Sequence, residues 1–109
     1  MMIATYHEAK RELHIFLEGE IDHHTCLEMS QLADDSIRKY LPTLVIFDFE
    51  KVSFMDSSGI GMLLGRYKKI IRFGGRAVMK NVSVDMQRIF AMSGIFKIMP
   101  LVEEEKVNG

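Results

Sequence analysis

An almost continuous apolar segment, residues 44–49, constrains the fold of this chain more than any other feature. Strands that are buried on both faces carry such runs, and they are typical of parallel sheets flanked by helices. The apolar part of the segment is far too short to cross a bilayer. We therefore predict a central strand over residues 44–49, with helices packed on the sheet that contains it.

The segment before this strand predicts a β-hairpin. Apolar and polar residues alternate over residues 13–17, which is typical of a half-buried strand. Residues 3–7 can pair with it, because residues 8–11 are a polar connection. Gly19 is expected to end the hairpin.

A helix is predicted between the hairpin and the central strand. Apolar residues recur at helical spacing over residues 24–40. Thr25 and Glu28 have the spacing of a capping box, and Asp22 is a competing N-cap. Pro42 is expected to stop this helix.

After the central strand, helices and strands alternate. The patterns predict helices over residues 58–73 and 84–92, and strands over residues 77–79 and 98–102. The order β-β-α-β-α-β-α-β predicts an α/β protein: one open, mixed sheet of about four to five strands with packed helices. A single domain is expected over residues 1–109, with 102–109 as a frayed tail or a short terminal helix.

The helix over residues 58–73 has two distinct faces. The apolar residues expected in the core are Ile60, Leu63, Leu64, Tyr67 and Ile71. Basic residues, Arg66 and Lys69 among them, are expected on its solvent side, and the pair Gly74-Gly75 is expected to end it.

Charge and cysteine content narrow the function classes. The net charge of −1 gives no electrostatic reason to expect a nucleic-acid partner. Cys26 is the only cysteine, so an internal disulfide is excluded, and no signal peptide is evident. We therefore predict a cytoplasmic protein that has no membrane partner. The free protein is expected to be a monomer.

Residues 53–61 contain the candidate functional site. Asp56, Ser57 and Ser58 lie where a buried strand is expected to end and a helix to begin, with glycines close behind. An N-cap accounts for one of these polar side chains but not for all three. A phosphate on a serine here would carry roughly −1.5 to −2 charges, and it would face unpaired N–H groups of the helix. The same charge would be costly in an interface that had accepted a neutral hydroxyl, so phosphorylation would break binding without refolding the domain.

A second polar segment, residues 20–26, is expected beside the first. Loops that follow parallel strands emerge at the carboxyl edge of a sheet, so Asp22, His23 and His24 should lie near Ser57. A partner contact and a solvated helix entry are both open interpretations. A metal site is disfavoured, because adjacent histidines point to different sides of a helix start and the second half of a site is missing.

Other motifs fit poorly. The glycines at 59, 61 and 65 resemble a dinucleotide fingerprint, but the spacing is wrong by one residue, and the Walker A and nucleophile-elbow patterns are absent. Asp48 ends the apolar run like the acceptor aspartate of a receiver domain, but the acidic pair and the late lysine of such domains are missing. We interpret Asp48 as a strand-end acid with a local hydrogen-bond partner.

Four blocks in the chain resemble the STAS family of anti-sigma factor antagonists. They are GEIDHHT (residues 19–25), FE (49–50) followed by VSFMDSSGIG (52–61), LGRYK (64–68) and MSGIFKI (92–98), and they occur in order across nearly the whole chain. The resemblance implies a STAS fold and a protein that binds a partner and catalyses no reaction.

In this family the serine directly after the aspartate is the phosphoacceptor, which corresponds to Ser57. The resemblance implies that the partner is an anti-sigma factor with serine kinase activity and bound ATP or ADP. The unphosphorylated antagonist binds this kinase and frees the sigma factor, here the sporulation sigma factor F. Phosphorylation expels the antagonist and a serine phosphatase resets it. No cofactor and no metal are implied.

The resemblance also assigns roles around Ser57. Asp56 would shape the loop, Ser58 would cap the helix, Gly59 and Gly61 would allow close approach, and Ile60 would be an apolar contact. The complete set of implied partner-binding residues is Asp22, His23, His24, Asp56, Ser57, Ser58, Gly59, Ile60 and Gly61.

Two alternatives stay open within the fold. The chain could serve another sigma factor, such as a general stress regulator, or it could be a nucleotide-sensing STAS module that uses the glycine-rich loop as an anion nest. An enzyme is the least favoured interpretation, because no base is placed in the sequence to activate Ser57.

Overall fold

The computed structural model describes residues 1–103, which form five strands, three α-helices and two short 3₁₀ turns. In chain order the strands and helices are β1 (Met2–His7), β2 (Glu12–Ile21), α1 (Cys26–Tyr40), β3 (Leu44–Met55), α2 (Ser58–Arg72), β4 (Arg76–Lys80), α3 (Val84–Ser93) and β5 (Leu101–Val102). The turns are Glu8–Lys10 and Ile95–Lys97. None of the helices in residues 1–103 is both long enough and apolar enough to span a bilayer.

All five strands form one mixed sheet in the order β1-β2-β3-β4-β5. β1 and β2 are antiparallel, and every other neighbouring pair is parallel. The predicted α/β class, the opening hairpin and the order of elements are therefore confirmed.

One apolar core lies between the sheet and the helices. Alternate residues of the central strands, such as Ile15, Phe47 and Met79, are buried there with residues of all three helices. Ile46 and Val78 are also buried but lie outside this cluster, on the face that carries His14. The prediction that the central strand is buried on both faces is thus confirmed for residues 45–49.

The two strands that carry the candidate loops are longer than predicted. β2 continues past Gly19 to Ile21, because Gly19 adopts a positive φ of 80° beside a register shift and lets the strand go on. The prediction that Gly19 ends the hairpin was therefore wrong. β3 continues to Met55, so Asp48 lies inside the strand rather than at its end.

The start of α1 also differs from the prediction. The helix begins at Cys26, and Thr25 occupies the N-cap position with a helical backbone and no capping hydrogen bond from its side chain. The capping box is therefore wrong, and the competing acid, Asp22, binds the backbone of this turn. The end of α1 is as predicted: Tyr40 is its last residue, and Leu41 takes a left-handed conformation before Pro42.

The predicted core face of α2 is confirmed except at its end. Leu63 is buried, and Ile60, Leu64 and Tyr67 are half-buried and pack against the core. The prediction missed Gly59, Met62 and Ile70, which are also buried, and it wrongly included Ile71, which is exposed. The glycine stop is confirmed, because Gly74 follows the C-cap residue Phe73 with a φ of 80°.

The last predicted strand is shorter than expected. Only Leu101–Val102 pair with β4, and Ile95–Lys97 form a 3₁₀ turn before them. The strand is at the edge of the sheet, as Pro100 indicated. Most of the predicted tail lies outside the described residues.

Candidate functional site

The two candidate loops leave the sheet side by side. Ile21 and Met55, the last residues of β2 and β3, are partners in the parallel ladder. The backbone N–H of Asp56 then donates a hydrogen bond of 3.1 Å to the carbonyl of Ile21. The loop with His23 and the loop with Ser57 therefore begin at the same edge of the sheet, as the sequence predicted.

Ser57 is exposed at the N-terminus of α2. It occupies the N-cap position, but its backbone is helical and its hydroxyl makes no capping hydrogen bond. The cap comes from Asp56 instead, whose Oδ1 accepts a hydrogen bond of 2.8 Å from the N–H of Ser58. The role of helix cap assigned to Ser58 is therefore wrong, and the Ser57 hydroxyl is left free of the helix.

The N–H groups at this helix start already have acceptors. Besides the bond from Ser58 to Asp56, the N–H of Gly59 donates to the Asp56 carbonyl at 3.1 Å, and that of Ile60 donates to the Ser57 carbonyl at 3.2 Å. The expectation that a phosphate on Ser57 would face unpaired N–H groups is therefore wrong. The Asp56 carboxylate already takes the place that an anion would take at this helix end.

The glycines of α2 differ in their surroundings. Gly59 is buried, and a Cβ on it would lie 2.6 Å from Met55 Cγ, closer still to Met55 Sδ, and 3.3 Å from Ile21 Cγ2. The close approach at Gly59 is therefore between α2 and the strands beneath it. Gly61 is exposed with open space around it, and Ile60 is half-buried. An approaching molecule can therefore reach Gly61 and Ile60, but not Gly59.

The loop before α1 is held by its own side chains. Asp22 Oδ1 accepts hydrogen bonds from the N–H groups of His24 at 2.9 Å and Thr25 at 3.0 Å. Thr25 Oγ1 accepts from the N–H of Asp22 and donates to the carbonyl of Glu20, each at 3.0 Å. The hydrogen bond from the Thr25 backbone is the main reason that the pKa of Asp22 lies below its ordinary value, and the His24 N–H and imidazole add to it. The carboxylate of Asp22 thus orders this loop in its charged form.

His23 and His24 present both imidazoles to solvent. Their ring centroids are 3.9 Å apart and the rings are tilted by 38°. Among residues 1–103, no three His, Cys, Asp or Glu side chains are grouped so that they could hold a metal ion. The two rings form an exposed, amphipathic surface at the edge that also carries Ser57.

The sequence did not indicate which charged side chains surround Cys26, at the start of α1. Burial raises the pKa of the Cys26 thiol, the carboxylates of Asp56 and Asp22 raise it further, and the Arg66 guanidinium opposes them. Cys26 is therefore close enough to both loops for a carboxylate of each to influence its thiol. A cysteine at a helix start gives no signal of this in the sequence.

Arg66 was predicted to face solvent, and this was wrong. Its side chain is only 11% exposed, and its Nε lies 2.8 Å from Oδ1 of Asp34 on α1. Lys69 Nζ approaches the other oxygen of the same carboxylate at 2.7 Å. The contact to Arg66 lacks the alignment of a hydrogen bond, so it is an ion pair. Asp34 thereby joins α1 to α2 behind the candidate site.

Asp48 has the local partners expected for it. Its Oδ1 accepts a hydrogen bond of 2.9 Å from the N–H of Glu50, and Asn81 Nδ2 donates to both oxygens at 3.2 and 3.1 Å. The carboxylate is buried in β3 and bonded to the connection after β4. A structural role accounts for it.

The family model for the STAS domain matches residues 4–107, so the chain belongs to the STAS domain family. Among curated proteins, an anti-sigma F factor antagonist of Paenibacillus polymyxa is 39% identical over 89 residues, which cover 82% of this chain and 76% of that protein. An anti-sigma-B factor antagonist of Listeria monocytogenes is 28% identical over 102 residues, with 87% and 83% covered.

Solved structures give the same fold. The unphosphorylated form of the anti-sigma factor antagonist SpoIIAA matches with a TM-score of 0.81 and 28% identity, covering 97% of this chain and 90% of that chain. The phosphorylated form of the Bacillus cell fate determinant SpoIIAA matches with a TM-score of 0.73 and 29% identity, covering 97% and 93%. The chain is thus similar in sequence and fold to anti-sigma factor antagonists.

Proposed function

We propose that this protein is an anti-sigma factor antagonist whose docking is switched off by phosphorylation of Ser57. When Ser57 is unmodified, the protein binds an anti-sigma factor that is itself a serine kinase and thereby releases the sporulation sigma factor F. The kinase then phosphorylates Ser57 and the complex separates. A serine phosphatase restores the active form.

The observation that carries this proposal is the exposed hydroxyl of Ser57 at the edge shared by both loops. A hydroxyl that makes no capping hydrogen bond can enter a kinase active site without unfolding the helix behind it. The neighbouring His23 and His24 rings and Gly61 provide exposed surface around it. Similarity to anti-sigma factor antagonists, one of which is known in a phosphorylated form, supports the same assignment.

A phosphate on Ser57 opposes docking both by its charge and by its size. A phosphate on Ser57 adds roughly −1.5 to −2 charges next to the Asp56 carboxylate, which already occupies the helix N-terminus. The N–H groups of residues 58–60 already have acceptors, so they are not available to the phosphate. A docking partner therefore meets its charge. Placing that charge in an interface built for a hydroxyl leaves it unpaired and desolvated, which weakens binding strongly.

The protein is a substrate and ligand in this scheme and needs no catalytic group or cofactor of its own. The nucleotide belongs to the kinase. Acting inside the cell, the protein would meet the kinase and the phosphatase in the cytoplasm, and it would be a monomer between encounters.

A phosphorylation assay tests the proposal. The protein is incubated with the anti-sigma F factor of the same bacterium and ATP, and the phosphate is located by mass spectrometry. We expect phosphate on Ser57, full loss of it in Ser57→Ala, and retention in the matched control Ser58→Ala. Phosphate on Ser58 alone, or none with a kinase shown to be active on another antagonist, would overturn the assignment.

A general stress pathway is the second candidate, because a relative named anti-sigma-B factor antagonist matches over most of this chain. Titration of the protein against both anti-sigma factors decides between them. Tighter binding to the anti-sigma F factor supports the sporulation role, and tighter binding to the anti-sigma-B factor supports the alternative.

A further inference from the structure

A groove of about 290 Å³ lies between the end of β3 and the first turns of α3. Phe54 and Ile89 are its accessible apolar residues, and the buried side chains of Met55 and Met86 lie beneath them. The rest of the lining is polar and exposed: Ser53, Ser83 and Asp85. Phe54 is 52% exposed although it belongs to a strand of the sheet. An aromatic ring held half in solvent by a rigid strand is an anchor that can bind without losing much conformational entropy.

The groove is next to the Ser57 loop and shares Met55 with the first turn of α2. Met55 lines it and also packs directly beneath Gly59, the second residue of α2. Phe54 is three residues before Ser57 in the same chain segment, and Asp56 alone separates Met55 from Ser57. A molecule that covers the Ser57 loop is therefore within reach of this groove.

The size of a specific interface favours such an extension. A stable protein complex buries about 800 Å² and about 20–30 residues on each partner, so an interface that includes the Ser57 loop extends to the surface beside it. His23 and His24 lie on the β2 side of the Ser57 loop, whereas the groove opens on the α3 side. The flanks thus lie on opposite sides of the Ser57 loop, and the groove adds an apolar contact of the kind that hot spots use.

We infer that the groove of Phe54, Met55, Met86 and Ile89 is part of the docking surface for the serine kinase and receives an apolar side chain of that kinase. The inference rests on the proposed function, because it takes the kinase as the molecule that covers Ser57. Phe54 is then a residue that sets affinity for the kinase and takes no part in phosphate transfer.

The test uses Phe54→Ala against a matched control, Phe73→Ala. Phe73 is 42% exposed, but it lies just beyond the far end of the 15-residue helix α2, more than about 20 Å along the helix from Ser57. Calorimetric titration with the kinase and ADP should show about a tenfold or greater rise in Kd for Phe54→Ala. Phe73→Ala should leave Kd within about twofold of wild type. Thermal melting of both variants checks that they are folded.

A second variant keeps the inference testable if Phe54→Ala does not fold. Phe54→Leu preserves an apolar side chain, and we expect it to bind nearly as wild type, whereas Phe54→Lys should bind as weakly as Phe54→Ala. Equal Kd values for wild type and Phe54→Ala, with normal phosphorylation of Ser57, would overturn the groove inference and leave the proposed function standing.

Other occupants give different results. If the groove served a second copy of this chain, Phe54→Ala would alter sedimentation of the free protein and leave kinase affinity unchanged, which contradicts the inference. If wild type fails to bind the kinase at all, the proposed function fails, and the groove inference fails with it.

Discussion

Gly59 lies directly on the side chain of Met55, with no space for a Cβ atom between the first turn of α2 and the end of β3. This contact sets the height of the helix N-terminus above the sheet, and Ser57 is attached to that N-terminus. Gly59 therefore positions Ser57, the proposed phosphoacceptor, from inside the protein.

Replacement of Gly59 by alanine should both destabilise the fold and displace Ser57. The added methyl group would overlap Met55 and press on Ile21, and such overpacking costs roughly 1–3 kcal/mol, which exceeds the gain in helix propensity of about 0.5–1 kcal/mol. Urea unfolding measures the loss of stability, and the rate of Ser57 phosphorylation measures the displacement.

Gly61 provides the control for this prediction. It is on the same helix, exposed, with open space where a Cβ would be. Gly61→Ala should therefore raise the free energy of unfolding by about 0.5–1 kcal/mol. If Gly59→Ala were as stable as Gly61→Ala, the packing role of Gly59 would be disproved.

A negative charge at Ser57 should weaken kinase binding with little effect on folding. Ser57→Asp places a carboxylate beside Asp56 at an exposed position, where substitutions change stability by about 0.5 kcal/mol or less. An unpaired charge in the interface costs several kcal/mol, so Kd should rise on the order of 100-fold. Ser57→Asn has the same shape without the charge and separates electrostatics from size. A large drop in melting temperature in Ser57→Asp would instead give the hydroxyl a structural role.

Sequence patterns located the two loops because they depend on local and topological rules. A continuous apolar run followed by Asp-Ser-Ser-Gly predicts a strand that ends in a helix start, and parallel strands bring such ends to one edge. The same reasoning correctly identified the ends of α1 at Pro42 and of α2 at the glycine pair. These features need only the chemistry of neighbouring residues.

The remaining features depend on contacts between distant segments. The burial of Gly59 requires knowledge that Met55 and Ile21 lie beneath it, and the burial of Arg66 requires knowledge that Asp34 faces it across the helix interface. A basic residue on a helix is usually solvated, so its spacing alone predicted exposure. The cap at α2 was misassigned for a related reason. Three adjacent polar residues compete for one position, and only the folded chain shows that the Asp56 carboxylate accepts the hydrogen bond from the N–H of Ser58.

The ion pair between Asp34 and Arg66 should matter more for stability than the pair with Lys69. Both Asp34 and Arg66 side chains are nearly buried, at 12% and 11% exposed, whereas Lys69 is 43% exposed. Arg66→Ala leaves a buried carboxylate with one partly solvated partner and should cost roughly 2–4 kcal/mol, somewhat less than for a fully buried pair. Lys69→Ala should cost about 1 kcal/mol or less.

Urea unfolding of Arg66→Ala, Lys69→Ala, Asp34→Ala and the double variant Asp34→Ala/Arg66→Ala measures these differences, because urea does not screen charges as a salt does. The double variant should lose less stability than the sum of its single changes, because it removes the stranded charge. Additive losses would mean that the two side chains do not interact in solution.

The loop that carries His23 and His24 should loosen in acid. Hydrogen bonds from Thr25 and His24 to the Asp22 carboxylate hold its pKa below the ordinary value of 3.8, so the folded state binds the proton less readily than the unfolded chain. The stability that Asp22 contributes is therefore fully present above pH 3.8 and is lost as the pH falls through the lower, folded-state pKa. Titration of the Asp22 carboxyl by NMR should give that lower pKa directly.

The variant Asp22→Asn is the matched control for this titration. Its side-chain amide oxygen still accepts hydrogen bonds but has no charge to lose, so the backbone amide signals of His24 and Thr25 should become insensitive to pH in the acid range. In the wild-type protein the same two signals should shift together with the carboxyl of Asp22, because both N–H groups donate to it. A pKa of Asp22 at or above 3.8 would show that the carboxylate does not order the loop.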